Sequence, residues 1–206
     1  FLTTIKTNAD RLGSLVNDLL NISHIDSGRD RLQLKSVDVV DLVAEVTGLV
    51  STRAQHVEKH IDLITQITPG LPLIRADQRK VAQILSNILE NAYNYTYPGG
   101  KIEVSAYSRM WDARSQVVIS VKDNGIGIPE EFRGRVYNRF ERYEENALGM
   151  DVAGTGLGLS IVKALVEMHE GDVWFETAVN QGTTFYFSLP VGPTLIQDES
   201  IQSNAT

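Results

Sequence analysis

The sequence predicts a two-layer α/β (α+β) sandwich, a mixed sheet under one layer of helices, with a helical extension at its amino terminus. Three observations lead there. Apolar residues recur at steps of three and four over residues 2–19 and 81–89, the period of helices with one buried stripe. KIEVSAY, QVVISVK, DVWFETAV and TTFYFSLP alternate in character, the period of strands with one face on a core. Helical and strand segments do not alternate strictly, which argues against a doubly wound sheet.

The elements follow in order. Leu2, Ile5, Ala9, Leu12, Val16 and Leu19 form a heptad seam on a helix of about twenty-five residues, ended by Ser27 and Gly28. Seam and breaker read as a bundle or dimer element rather than a terminal helix docked on its own domain. RLQLKSV from Arg31 predicts a short strand, and Asp38 caps a helix expected to run to about Lys59. IDLITQI is a second strand. Asp77 caps a helix with apolar positions Val81, Ile84, Leu85, Ile88 and Leu89, which Pro98 to Gly100 stops. KIEVSAY and QVVISVK follow as strands, then the cluster DNGIGIP and a short helix over PEEFRGRVYNRF. Residues 141–154 lack periodicity and read as a functional cover or a disordered loop. LSIVKALVEMHEG is a helix closed by Gly171, and a last hairpin turns at Asn180 to Gly182. The tail from 191 to 206 is polar and expected to be disordered.

Bulk properties narrow the function. A chain of 206 residues supports one globular domain plus an extension. With 19 basic and 26 acidic residues, net −7, it does not fit a protein that binds by neutralising nucleic-acid phosphates. An anionic ligand must be held locally, by helix N-termini, glycine-loop amides and a metal ion. There is no cysteine, so disulfides and thiolate metal sites are excluded. No apolar run is long enough to span a bilayer. The chain starts at Phe1 without a signal-peptide pattern and is expected to be part of a longer protein, with any membrane segment outside it.

Three clusters carry the candidate chemistry. Asn87 and Asn91 are four apart and share a helix face off the core stripe. Their carbonyl oxygens are hard neutral ligands suited to Mg²⁺, although an isolated pair would more simply be a solvated face. Asp123 ends a strand and opens DNGIGIP, where Gly125 and Gly127 allow a tight turn and leave room for a flat ligand. A buried carboxylate only accepts hydrogen bonds, so it selects a donating edge such as the adenine amine. A plain hairpin turn is the alternative for AspAsnGly. GTGLGLS sets Gly154, Gly156 and Gly158 before a helix whose amides can cradle an oxyanion. It lacks a P-loop lysine and a βαβ setting.

NILENAYNY, DNGIGIP, RVYNRFER, GTGLGLS and GTTFYFSLP, in this order, resemble the catalytic and ATP-binding domain of bacterial two-component sensor histidine kinases. FLTTIKTNADRLGSLVNDLLNISHIDSG is similar to the second helix of that family's dimerisation and phosphoacceptor hairpin. The resemblance implies a Bergerat-type ATP fold over residues 29–190 and a partial hairpin over 1–28. It implies that Asn91, and with it Asn87, binds Mg²⁺, that Asp123 reads adenine, and that Thr183 supports Asp123 through water. Gly125, Gly127 and Ile128 would form the adenine wall and Tyr95 its packing aromatic, while Arg142 of the lid would face the terminal phosphate. Gly154, Gly156 and Gly158, with Leu157 and Leu159, would form the hinge and the phosphate-side loop.

The implied activity is transfer of the ATP γ-phosphoryl group to a histidine outside this chain, for relay to a response regulator, by a cytoplasmic homodimer paired through the amino-terminal helix. Related ATPases place a glutamate base where this chain has Asn87, and an amide cannot activate water near neutral pH. A superfamily ATPase and a non-catalytic nucleotide-binding or dimerisation module are the alternatives. Asn94 stands at a position that is often basic in the family, and Tyr137 and Glu170 replace a usual phenylalanine and glycine. His24 lacks the acidic neighbour of an acceptor motif; His56, His60 and His169 read as surface or helix-end residues.

Overall fold

The computed structural model describes residues 2–27, 30–54, 59–143 and 155–192. In chain order the elements are α1 (Leu2–Asp26), β1 (Lys35–Val37), α2 (Val39–Ala54), β2 (Asp62–Ile67), β3 (Ile74–Ala76), α3 (Gln78–Tyr95), β4 (Lys101–Trp111), β5 (Arg114–Asp123), α4 (Glu130–Arg133), α5 (Gly158–Met168), β6 (Val173–Ala178) and β7 (Gly182–Pro190). Five strands form one mixed sheet in the order β2-β4-β5-β7-β6, parallel between β2 and β4 and antiparallel elsewhere. β1 and β3 form a separate antiparallel pair.

The helical layer has α3 at its centre, packed against α2 on one side and α5 on the other. Val81, Ile84, Leu85, Ile88 and Leu89 are all fully buried, as their spacing requires. Asp77 caps α3 by accepting from the amides of Arg79 and Lys80 at 3.1 and 3.3 Å. Asp38 does the same for α2, accepting from the Val40 amide at 2.7 Å. The opposing core comes from alternate residues of the sheet, among them Ile102, Val104, Ile119, Val121 and Phe187.

Several expectations change. The strand from Arg31 shrinks to Lys35–Val37, and its partner β3 has no periodic signal of its own because three residues cannot display one. The described part of α2 ends at Ala54, and Lys59 is a turn residue. The helix expected over 129–140 is a single turn, after which Arg135 and Asn138 bond carbonyls three residues back and the chain continues in tight turns. Residues 144–154 and 193–206, and with them Gly154 and most of the expected cover and tail, lie outside the described residues.

α1 uses two faces. Ile22 is buried on the domain, and Leu15 and Ile25 pack against the same core. Leu12, Val16 and Leu19, the described part of the heptad seam, are 62%, 50% and 55% exposed. Docking on its own domain and keeping a seam exposed are therefore not alternatives, since they use adjoining faces of one helix. No helix among the described residues is long and apolar enough to cross a membrane.

Candidate functional site

Asn87, Asn91 and Tyr95 are successive fourth residues on α3 and form one stripe about 12 Å long. Each end of that stripe meets a different glycine cluster. At the carboxyl end the Tyr95 carbonyl accepts from the Ile126 amide at 3.2 Å. At the other end Asn87 Nδ2 donates to the Gly158 carbonyl at 3.3 Å. Asn91, half-buried, sits between them. The structure thus brings both asparagines, the DNGIGIP loop and the start of α5 around one helix face.

Asp123 ends β5 and is 6% exposed. Its Oδ1 accepts from the amides of Gly125 and Thr183 at 2.9 and 3.2 Å, bonds that leave Oδ2 unused. Burial pushes the carboxyl above its usual range, and the two amides oppose the rise without cancelling it. Thr183 supports Asp123 through its own backbone N–H, while its hydroxyl pairs with that of Thr177 at 3.0 Å. Thr177 Oγ1 in turn accepts from the Ile128 amide at 2.8 Å and donates to the Gly182 carbonyl at 3.1 Å.

The glycines of this loop have a reason beyond ligand space. A Cβ on Gly125 would lie 2.1 Å from the Tyr95 carbonyl oxygen, and one on Gly127, where φ is +70°, would lie 2.1 Å from the Ala178 carbonyl oxygen. The loop is pressed between the end of α3 and the β6–β7 turn, and the Asn180 amide closes it by donating to the Ile126 carbonyl at 2.7 Å.

The second cluster is built differently. Gly156, at φ +73°, accepts from the Phe140 amide at 2.9 Å, so the two ends of segment 141–155 are held side by side. Leu157 is fully buried and anchors the loop in the core, with Leu159 partly buried beside it. A Cβ on Gly158 would meet only the Asn87 side chain, Cγ at 3.8 Å and Cβ at 3.9 Å, among the described residues. α5 starts without a side-chain cap, which leaves its first amides for a ligand. Arg142, at the start of the expected cover, acts electrostatically on the Tyr95 phenol, whose pKa burial raises and Arg142 partly restrains.

α1 reaches both flanks of that segment. Arg139 makes a two-pronged bond to Asp26 at 2.7 and 2.8 Å, and Thr155 Oγ1 donates to Asp18 at 2.9 Å while accepting from the Leu157 amide at 3.2 Å.

Sequence reasoning missed Lys59 and Thr177. Lys59 Nζ donates to the carbonyls of Tyr93, Asn94 and Thr96 at 3.0, 2.9 and 3.3 Å, closing the carboxyl end of α3. Nothing local marks it, because its partners lie more than thirty residues away. Thr177 could have been found: it pairs directly with Thr183 across the last hairpin, and threonines facing each other there are a readable signal.

Among the described residues no group of three or more His, Cys, Asp or Glu side chains could hold a metal ion. The donors on the stripe are neutral amide oxygens instead. That set suits Mg²⁺, which takes one or two protein oxygens and completes its shell with phosphates and water.

A family model described as histidine kinase-, DNA gyrase B- and HSP90-like ATPase matches residues 76–193, more than half the chain. The circadian input-output histidine kinase CikA of Synechococcus elongatus is 31% identical over 190 residues, 92% of this chain and 24% of that protein. The sensor histidine kinase WalK of Bacillus subtilis is 34% identical over 190 residues, 92% of this chain and 30% of that protein. Among solved structures, full-length ShkA in complex with AMPPNP aligns with a TM-score of 0.76 at 32% identity, over 92% of this chain and 38% of that one. The chain spans between about a quarter and a half of the length of such curated relatives.

Proposed function

The chain belongs to the histidine kinase-, DNA gyrase B- and HSP90-like ATPase family, and from that premise we propose that it is the ATP-binding catalytic region of a sensor histidine kinase. Its reaction is transfer of the γ-phosphoryl group of ATP to a histidine carried outside this chain, for relay to a response regulator. One observation carries the reading: a single face of α3 runs from the loop that orients Asp123 to the open amino end of α5.

Adenine lies at the Asp123 end. Oδ2 accepts from its amine, Gly125, Gly127 and Ile128 wall the ring, and Tyr95 packs it. The phosphates lie toward Gly156, Gly158 and the first amides of α5, with Gly154 and Arg142 contributing from the segment between Phe140 and Gly156. Asn91 holds Mg²⁺ through its carbonyl oxygen, and Asn87, whose nitrogen is bound to Gly158, has only its oxygen to add. A Mg²⁺ held there would supply charge neutralisation to the phosphates. An amide at 87 cannot take a proton from water, which favours transfer to another nucleophile over hydrolysis.

Residues 1–28 serve as the second helix of a dimerisation hairpin, with Leu12, Val16 and Leu19 facing a partner helix, and 29–190 form the catalytic domain of a cytoplasmic region. Titration calorimetry with ADP and Mg²⁺ tests the site. Wild type binds and Asp123→Ala does not, and the chain with ATP fails to label itself but labels an added hairpin that carries an acceptor histidine. Steady ATP turnover abolished by Asp123→Ala would replace this reading with a hydrolytic one, and absence of nucleotide binding would end it.

A further inference from the structure

α3 and α5 lie side by side and antiparallel, and polar contacts join them at both ends. At one end the Asp77 amide donates to His169 Nε2 at 3.1 Å, and His169 Nδ1 lies 2.7 Å from the Leu165 carbonyl. At the other, Asn87 Nδ2 donates to the Gly158 carbonyl. The contacts are ten residues apart on α3 and eleven apart on α5, about 15 and 16 Å of helix, so both are satisfied in one register. Between them the buried positions of both helices are apolar, Val81, Ile84 and Leu85 on α3 and Ile161, Val162 and Leu165 on α5.

Apolar ridges pack with little directional preference, and a shift along the axis exchanges one set of methyl contacts for another. Hydrogen bonds do not tolerate such a shift, since a slip of one residue moves donor from acceptor by about 1.5 Å. His169 is built for this task. It is 3% exposed, its Nδ1 faces a carbonyl and must carry the proton, and its Nε2 is therefore the acceptor for Asp77. Both ring nitrogens are engaged, so this histidine is neither a nucleophile nor a surface residue. Asp77 is fixed from its other side, because its carboxylate accepts from Gln33, Arg79 and Lys80 amides at 2.9, 3.1 and 3.3 Å.

We infer that His169 is a positioning residue: with Asn87 as the opposite pin, it sets the register of α3 on α5 and so aligns Asn91 with the start of α5, some 15 Å away. The inference rests on the nucleotide reading above for its functional consequence, but the pinning itself does not.

The test uses the 206-residue chain with His169→Leu, which removes both bonds, and His169→Gln, whose amide can accept from Asp77 and donate toward Leu165. In protein shown to be folded by circular dichroism, His169→Leu weakens binding of ADP with Mg²⁺ about tenfold, and His169→Gln returns it to within about threefold of wild type. Without nucleotide, the Asn87 side-chain amide and the Gly158 backbone amide shift in the NMR spectrum of His169→Leu and return in His169→Gln. If His169→Leu does not fold, His169→Asn, too short to reach both partners, takes its place. A lower melting temperature with unchanged nucleotide affinity and unmoved Asn87 and Gly158 signals overturns the inference. If wild type binds no nucleotide, the functional reading fails separately, and the NMR comparison still decides whether the pins are coupled.

Discussion

The two ends of the α3 stripe are built on opposite plans. At the Asp123 end, backbone presses on backbone: Gly125 against Tyr95, Gly127 against Ala178 and Gly182 against Asp123, each too close for any side chain. At the Gly158 end, beyond the Asn87 pin and the backbone contact of Gly156 on Phe140, the flanks of segment 141–155 are tied by side chains, Thr155 on Asp18 and Arg139 on Asp26, the last pair about half exposed. Backbone packing is over-determined and rigid, whereas exposed side-chain bonds exchange readily with water and are individually weak. A site made this way can hold one part of a ligand in a fixed frame while the part around the other rearranges.

The largest effect that would sharpen the contrast comes from the same substitution at each end. Gly125→Ala drives a methyl to 2.1 Å from the Tyr95 oxygen, where only backbone can give way, and should cost about 3 kcal/mol. That is a fall of roughly 6 to 12 °C in melting temperature. Gly158→Ala meets only ordinary contact at 3.8 Å and should leave the midpoint where it is. Equal damage at both positions would break the comparison.

Asp123 separates stability from binding. Its carboxyl titrates above the unfolded value of 3.8, chiefly because of burial. Between those two values the folded chain retains a proton that the unfolded chain has lost, so stability falls as pH rises through that window. At neutral pH the ionised carboxylate is therefore a burden on the fold. Asp123→Asn keeps an oxygen for the amides of Gly125 and Thr183 and removes the charge. Its melting temperature at pH 7 should be at least that of wild type, and the gain that wild type shows on acidification should shrink. Affinity for ADP with Mg²⁺ should drop about ten- to hundredfold, because the adenine amine loses the acceptor proposed for it.

Tyr137 lies between β6 and α5, with the Lys163 ammonium 5.9 Å from its ring centroid. Its ring packs on Phe175 with centroids 6.0 Å apart, yet its buried hydroxyl has no hydrogen-bond partner among the described residues, and burial raises its pKa. Tyr137→Phe removes an unsatisfied group without changing shape and should stabilise the chain by about 1 kcal/mol, read by urea denaturation. A loss instead would mean that the hydroxyl has a partner, and that this end is more tightly specified than its side-chain ties suggest.

What could be read in the sequence follows the same division. The face of α3 was legible because a cap at Asp77 and five apolar positions at helical spacing are local signals. Asp123 was legible as a carboxylate at the end of an alternating strand. The role of Lys59 was not, since it depends on carbonyls of a helix formed far along the chain. β3 exists only through pairing with β1 and a bridge to Val191. Glu170 illustrates a sharper limit: it sits at φ +59°, a conformation that favours the glycine usual there, and its letter gives no hint that the turn retained its shape. His169, expected at a surface or helix end, does end α5 but is buried, because the cap of a neighbouring helix needs its acceptor nitrogen.

The smallest expected effect is the most informative about α1. Arg139 and Asp26 hold a well-aligned pair, but both are about half exposed, so water and salt compete for each charge. Arg139→Gln should leave the melting temperature of the chain within error, and so should Thr155→Val, which removes the bond to Asp18. Together the two changes untie α1 from both flanks of segment 141–155 while Ile22, Leu15 and Ile25 still pack on the core. The double variant should therefore unfold at the wild-type midpoint yet lose amide protection in α1 faster by hydrogen exchange, and raising salt should reproduce the Arg139 part of that change alone. If the midpoint instead falls by as much as it does in Gly125→Ala, the two ends are equally structural. The contrast between a fixed frame and a movable one then has to be abandoned.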